Sequence, residues 1–597
     1  MLCAGAFLDA AFRRRVIEEL VEHRERPVPP SLGVDAVPVL AYALRARVQE
    51  LRTGLLLLGV WGVFFAVDLV VAIVSGEFSG PATSGDFSDS GGYPASPDLS
   101  VFAPLALLFG YVKEAWGLLP VGAITTLGNL NVDGPVSWTG LYATVGLSLW
   151  AARALAGRRS DPVLGGQRTQ RKPVGRVRRF LGWNFRWSGW ILGASYWSAA
   201  ISALVGGHWS ALTAVLLPPT LGLVVVWHRL RTEAVVRGEL QRDAFQAAPQ
   251  RPELPPLPAV QQIAEAIDRE QYARLVVYNP DDPFLGAGTP YEPWSLALEL
   301  KRDKSAGPND PRLTSREIVD LIGPRLKALR ASAAATSLDR LRELEVEEFV
   351  YVPAGLPRWE IPYDDVEQHL AESVDEGAEA RRHFLRIRVG GWDEHVVLTV
   401  LVRVHTQGGM LVLEVAPHIL PPIRPDFRIV DALAARPSQT PGIATLLRGL
   451  FVSPMSGLVL LATGLRALGS LRRAGSAAQA AWTPPSGPSV SLRELAATNT
   501  MSLFQTMDVS RYVKTVQDRI ASGVREALRS RGYATDEFDR QIVHVAQGGV
   551  FVGGDISGGA INTGAHGSAT DNHRQDSGSP TSAAWPASRA AAELSQG

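Results

Sequence analysis

What most limits the fold of this chain is a set of long apolar runs in its first 230 residues. Residues 55–75, LLLLGVWGVFFAVDLVVAIVS, are long enough to cross a bilayer, which takes roughly 20 apolar residues. Residues 140–155 (GLYATVGLSLWAARAL), 187–205 and 209–227 read as further spans, the last two joined by the short turn Gly206-Gly207-His208. Within lipid the backbone must satisfy its own polar groups, so such runs are helices. Trp138, Trp183, Trp187, Trp209 and Trp227 stand at the edges of the runs, as in an interfacial belt. The first run begins behind a charged N-terminal stretch and reads as a span rather than a signal peptide.

Orientation follows from the basic residues. The loop 158–183 holds Arg158, Arg159, Arg168, Arg171, Lys172, Arg176, Arg178 and Arg179 against Asp161 alone, which assigns it to the cytoplasm. Arg45, Arg47 and Arg52 assign the N-terminus to the same side, and the Gly/Ser/Pro-rich loop 76–100, charged only by acids, to the outside. Residues 101–130 are apolar but carry Lys113 and Glu114 in their middle, a costly arrangement for a span. The consistent solution is four spans, with 101–130 re-entrant or interfacial and both termini cytoplasmic. Five spans with an external N-terminus is the alternative. Asp68 is the acid well inside a clear span. It reads either as an ion or proton site, or as a carboxylate near the outer surface that is hydrogen-bonded to a neighbour or faces water.

Composition removes several functions. Lys plus Arg number 59 and Asp plus Glu 59, so no net charge draws the chain to nucleic acid. The single cysteine, Cys3, excludes an intrachain disulfide and a cysteine-based zinc site. No nucleotide, zinc, triad or kinase signature occurs, so no catalytic, cofactor or metal residue is assigned and a non-enzymatic role is expected.

Beyond a Pro-rich linker, 231–258, a cytoplasmic α+β domain is expected over 259–441. Its pattern predicts helices over 260–269, 316–341 and 365–376, and strands over 274–278, 295–301 and 346–352, followed by three more strands. TSRE at 314–317 is a capping box opening the second of those helices. Gly408-Gly409 is a two-residue hairpin turn that sets Arg403 opposite Glu414, Val402 opposite Val415 and Val404 opposite Leu413. A looser turn at 390–393 sets Ile387 opposite Val396 and Leu385 opposite Leu398. The result is an antiparallel β-meander with one buried face, made of Leu385, Ile387, Val396, Leu398, Val400, Val402, Val404, Leu411, Leu413 and Val415. His395, Arg403 and His405 fall on the other face, without a third partner that would make a metal site.

Between two of the strands lies NPDDPFLGAGTPYEPW, 279–294. The glycine pair lacks the lysine and following helix of a P-loop, so a phosphate cradle is not expected. Asp281 and Asp282 beside Pro283 suit a turn. Phe284, Tyr291 and Trp294 either fold back on the domain or, since the connection is long, form a contact surface. Asp281, Asp282, Phe284, Tyr291 and Trp294 are therefore candidate partner-binding residues.

The C-terminal part comprises an apolar membrane-surface segment, 446–473, and a helical segment, 490–545. The helix over 509–529 has a narrow stripe, Val509, Val513, Val516, Ile520, Val524 and Leu528, suited to packing on the domain or on a second copy. The Gly-rich tail, 546–597, repeats glycine pairs every five residues, with Phe551, Ile556 and Ile561 between them. It reads as a disordered tail, or as short β-segments that self-associate or bind a partner.

The blocks MLCAGAFLDAAFRRRVIEELVEHRERPVPPSLGVDAVPVLAYALRAR, PFLGAGTPYEPWSLALEL and SVSLRELAATNTMSLFQTMDVSRYVKTVQDRI, with the Gly-rich tail, resemble an uncharacterised family of actinobacterial multi-pass membrane proteins. The resemblance implies a membrane protein with a cytoplasmic domain, and no catalytic residue. The expectation is thus an α-helical membrane domain, 51–230, behind an N-terminal cytoplasmic helical segment, 1–50, and followed by the α+β domain. Its partners are the lipid bilayer and a protein, or a second copy bound through the C-terminal part. The alternative is a transporter or channel subunit built on Asp68, Lys113 and Glu114.

Overall fold

The computed structural model describes residues 1–29, 33–74, 138–156, 175–207, 211–247, 252–302, 312–333, 339–355, 361, 363–376, 380–391, 395–428 and 487–546. The helical N-terminal part contains α1 (Leu2–Leu8), α2 (Ala10–Ile17), α3 (Ala36–Val74), α4 (Trp138–Leu155), α5 (Arg176–Val205), α6 (Ala211–Val235) and α7 (Arg242–Ala247). Asp9 caps α2 by accepting hydrogen bonds from the Ala11 and Phe12 amides.

Helix α3 is a single rod with two chemistries. Its first turns (Val37, Leu40, Tyr42, Ala43) are buried among α1, α2, the turn Val236–Leu240 and helix α8 (Pro258–Gln271). Its second half is apolar and turned outward, with Leu55 61 % exposed. Ala36–Val71 and Ala211–Leu240 are long and apolar enough to cross a membrane. Helix α5 begins with Arg176, Arg178 and Arg179 and presents exposed Trp183, Trp187 and Trp190.

Helices α3 to α6 meet around Trp138, Tyr142, Tyr196, Leu217 and Leu221. Helix α6 continues through Pro218 and Pro219. A proline inside a helix removes the donor to the carbonyl four residues earlier. At Pro218 that carbonyl belongs to Ala214, and the Tyr196 hydroxyl of α5 donates to it at 2.7 Å.

The α+β part is built on a mixed sheet: β1 (Leu275–Tyr278), β2 (Thr289–Pro290), β3 (Trp294–Glu299), β4 (Glu345–Pro353), β5 (Arg382–Gly391), β6 (Val396–Gln407) and β7 (Met410–Leu420). The order is β1-β4-β5-β6-β7, and both β2 and β3 pair with the far edge of β7. The expected meander is therefore the centre of a larger sheet, and its β1–β4 pair is parallel. Parallel pairing needs a long crossover, and here the chain makes β2, β3 and helix α9 (Ser315–Ser332) between the two strands.

The β6–β7 register agrees with the expectation: Arg403 faces Glu414, with Val402 on Val415 and Val404 on Leu413. The β5–β6 register does not. Ile387 pairs with Val400 and Leu385 with Val402, because Gly390 and Gly391 belong to the strand and face Val397 and Val396. The displacement is four residues. An even shift leaves every side chain on its original face, so all ten residues of the expected apolar face are buried together.

Against that face pack α9, α10 (Val366–Glu376), α12 (Leu503–Ser530) and α13 (Asp536–Ala546). Thr314 and Glu317 form the capping box that opens α9. The stripe on α12 faces the sheet: Val509, Val513, Val516, Ile520, Val524 and Leu528 are all in the same core. Helices α9 and α12 approach closely at Gly523, where a Cβ would come within 2.7 Å of Ile322. Glu317 and Arg531 pair across the two helices.

The opposite face is not simply solvated, contrary to the expectation of one buried face. Val276, Phe349, Tyr351, Phe384 and Leu401 form a smaller cluster there, joined by Phe284. Arg386 lies 3.7 Å over the Phe349 ring and pairs with Glu347, while Arg403 reaches Glu414 at 3.5 Å. Residues 101–130, with Lys113 and Glu114, the segment 446–473 and the tail, with Phe551, Ile556 and Ile561, lie outside the described residues.

Candidate functional site

The loop after β1 is shaped by its own polar groups. Asn279 accepts from the Asp281 amide through its side chain and from the Asp282 amide through its carbonyl, at 3.1 Å each. Both aspartates are therefore turn-formers with exposed side chains. Phe284 folds back on the sheet, edge-on to Tyr351, Phe384 and His418 at 5.1–5.6 Å between ring centroids. Tyr291 and Trp294 pack against the main core. Of the five candidates in this loop, the three aromatic ones thus face inward.

The glycines of FLGAG then turn two backbone N–H groups toward one point. Gly286 and Gly288 both have φ of +98°, a conformation that glycine alone adopts readily. Their amides donate at 2.8 and 2.9 Å to the same oxygen, Oε1 of Glu494. The glycine spacing here is not that of a phosphate cradle. The loop nonetheless cradles an anionic group, and that group is a carboxylate of the same chain. A Cβ at Gly288 would lie 2.2 Å from the Ile419 carbonyl oxygen, so β7 closes the back of the nest.

Glu494 lies on helix α11 (Leu492–Leu495), within a strap formed by residues 487–497. Burial raises its carboxyl above the ordinary carboxylate range; the Gly288 and Gly286 amides oppose this, and neighbouring Asp282 adds to it. Asp282 is itself raised by desolvation, although its exposure leaves that effect screened by solvent. Next to Glu494, Arg493 is only 5 % exposed, and one of its guanidinium nitrogens donates to the His395 and Pro421 carbonyls. Burial lowers it to about 10.

The strap has a second anchorage. Glu19, at the end of the N-terminal helices, accepts from the Ser489 amide at 2.8 Å and the Ser489 hydroxyl at 2.7 Å. Arg26 donates to the same hydroxyl oxygen. Just ahead of Ser489 the Asn279 side chain donates to the Pro488 carbonyl, and Gly487 lies flat against Asn279. The Arg424 and Thr498 amides join the strap to the chain leaving β7. Leu492 and Ala496 complete the apolar core of the N-terminal helices. One short segment thus touches both the helical part and the sheet's loop along its length.

Two further polar clusters stand apart. Asp68 of α3 accepts from the Thr139 amide at 2.8 Å and from its hydroxyl, and from the Thr213 hydroxyl at 2.9 Å. It caps the start of α4 and ties α3, α4 and α6 together, which is the hydrogen-bonded reading of this residue. In the α+β part, Glu348 of β4 holds Arg316 of α9 and His383 of β5. No group of three or more His, Cys, Asp or Glu side chains that could hold a metal ion occurs among the described residues. Cys3 is buried and its thiol is pushed up to about 11, so it is an inert packing residue.

A family described as the AbeC-like domain matches residues 293–561. The match takes in the sheet from β3 onward, α9, α10, the strap and α12, while the glycine nest precedes it. No curated protein matches the chain, and no solved structure does.

Sequence reasoning missed Glu494. It lies 206 residues from Gly288, and SLREL carries no pattern beyond a short amphipathic turn. The available signal was the pair of glycines itself, which converge amides that need an acceptor.

Proposed function

We infer that this is an integral membrane protein with a non-enzymatic scaffold or signalling role, whose cytoplasmic α+β domain and C-terminal tail recruit protein partners. The observation that carries this reading is the shared packing of the two parts. The buried start of α3, the N-terminal helices, α8 and the strap form one core, and the strap's Glu494 reaches into the sheet's loop. A membrane helix and a soluble sheet joined in this way suit a protein that holds or positions a partner at the bilayer.

Membrane embedding is supported by the outward apolar surface of α3, α5 and α6, where Val205 is 83 % and Leu223 70 % exposed. Such a surface suits lipid as its solvent. The basic loop 158–183 supports four spans with both termini in the cytoplasm, and the resemblance to actinobacterial multi-pass proteins agrees with it. The AbeC-like match adds a domain name and no chemistry, because function resides in sites rather than folds. Asp68, with its oxygens engaged by Thr139 and Thr213, gives no support to the transporter alternative.

Crosslinking and pull-down from native membranes tests the proposal, comparing the full chain with one cut after Gln547. A specific protein that is captured by the full chain and lost with the tail is the expected result. Capture of no partner by either form, together with an ion flux abolished by Asp68→Asn, would overturn the scaffold reading.

A further inference from the structure

Residues 495–507, LAATNTMSLFQTM, carry no charged side chain. Ala496 is part of the core of the N-terminal helices, and Met501 packs on the core of the sheet. Beyond them the apolar side chains turn outward: Leu503 is 74 %, Phe504 77 % and Met507 59 % exposed. They stand on the first turns of α12, which Ser502 and Gln505 fix with a capping box. Phe504 and Met507 lie opposite the buried stripe, and exposed Arg511 and Lys514 continue their face at helical spacing. Scattered exposed apolar residues are ordinary, whereas a cluster on a preformed turn marks a contact surface.

A chain of contacts places this turn at the membrane end of the α+β part. Thr53 of α3 meets His228 of α6 at 2.9 Å, just before the outward apolar surface of α3 begins. One turn earlier Glu50 pairs with Arg13 of α2. Asp9, the cap of α2, pairs with Arg424 at 3.0 Å. The Arg424 amide donates to the Ala496 carbonyl, and the Thr498 amide to the Pro422 carbonyl, at 2.8 Å each. From Ala496 the chain reaches Leu503 over at most about 25 Å. The other end of α12 is remote: the Ala534 amide donates to the Lys301 carbonyl, beside the Gly408-Gly409 turn.

We propose that Leu503, Phe504 and Met507 form an interfacial anchor that seats the α+β domain on the cytoplasmic leaflet, with Arg511 and Lys514 against anionic headgroups. The anchor rests on the membrane reading of α3 to α6 given above. Apolar side chains of such anchors enter about 5–10 Å into the boundary between headgroups and acyl chains. Arg511 lies about 10 Å further along the axis than Phe504, the level of the headgroups when the ring is inserted. Asp508 holds Arg511 at 3.2 Å and offsets part of its charge, while the uncharged run 495–507 brings no acid to the surface. Lipid is favoured over a second copy because the chain itself tethers the turn beside the bilayer, at high effective concentration.

Spin labels on single introduced cysteines test this in the full chain, reconstituted into nanodiscs of phosphatidylcholine and phosphatidylglycerol. Cys3 is buried and stays unlabelled. Val63→Cys reports on the outward surface of α3, Leu503→Cys on the anchor and Arg519→Cys on an exposed, aqueous position of the same helix. Collisions with oxygen should outweigh those with a water-soluble nickel chelate at 63 and 503, and the reverse should hold at 519. Adding Phe504→Ser and Met507→Ser to Leu503→Cys should shift residue 503 to the aqueous pattern, as should Arg511→Glu with Lys514→Glu. Lipid contact at 63 with an aqueous 503 would overturn the anchor and leave the membrane reading standing. Aqueous patterns at both would overturn both. Protection of 503 from both reagents, or dipolar broadening between two copies, would assign the turn to a protein contact and overturn the anchor. So would a residue 503 that stays in lipid after the two serine substitutions.

Discussion

The Tyr196 hydroxyl donates at 2.7 Å to the carbonyl of Ala214, the one that Pro218 leaves without a helical donor. An aromatic residue on α5 thereby repairs a defect in α6. Tyr196→Phe should lower stability by about 1–2 kcal/mol, the cost of a buried acceptor left unsatisfied. Pro218→Ala restores the helical donor, so Tyr196→Phe should cost less in that background. Thermal unfolding in detergent of the two single variants and the double variant measures the coupling. Equal costs in both backgrounds would refute the repair.

Gly288 combines φ of +98° with a back wall formed by Ile419. Gly288→Ala should therefore destabilise the domain by about 3 kcal/mol or more, from left-handed strain and a backbone clash together. Gly390, in β5, has open space where a Cβ would go, and Gly390→Ala should change stability by less than about 0.5 kcal/mol. Denaturation midpoints of the two variants, compared side by side, decide this.

Glu348 is held down to about 2, first by its hydrogen bond to His383 and then by Arg316. A carboxyl depressed in the folded state stabilises the protein above its unfolded value, and that contribution disappears as pH falls toward the folded value. Glu348→Gln should accordingly cost on the order of 2–3 kcal/mol at pH 7. Melting temperatures at pH 7 and pH 3 should show the gap between variant and parent closing at the lower pH.

The α12 stripe is the largest helical contribution to the sheet's core. Ile520→Ala should cost about 2–5 kcal/mol, since the side chain is fully buried. Phe504→Ser, at the exposed start of the same helix, should lie within about 0.5 kcal/mol of the parent. Equilibrium unfolding followed by near-ultraviolet circular dichroism distinguishes the two.

Periodicity and local turn chemistry were legible in the residues alone. The long apolar run of α3, the capping box of α9, the apolar face of the meander and the α12 stripe all depend on neighbours within a few positions. The β6–β7 register was readable because Gly408 and Gly409, with φ of +60° and +78°, close a turn of fixed length. The β5–β6 register was not, because Gly390 and Gly391 could equally have been turn or strand. Pairing with β6 made them strand, a choice that depends on the whole sheet.

What only the tertiary structure decided was where lone polar groups find their partners. The sequence by itself determined that Asp68 lies in an apolar helix and that FLGAG can bend sharply. It could not determine that Thr139 and Thr213 occupy Asp68, or that Glu494 enters the glycine nest. The same holds for α12: its stripe demanded burial, and only packing chose the sheet over a second copy. The physical reason is range. Backbone sterics and hydrophobic periodicity act over a few residues, whereas a buried donor or acceptor takes whichever partner the folded chain brings within about 3 Å.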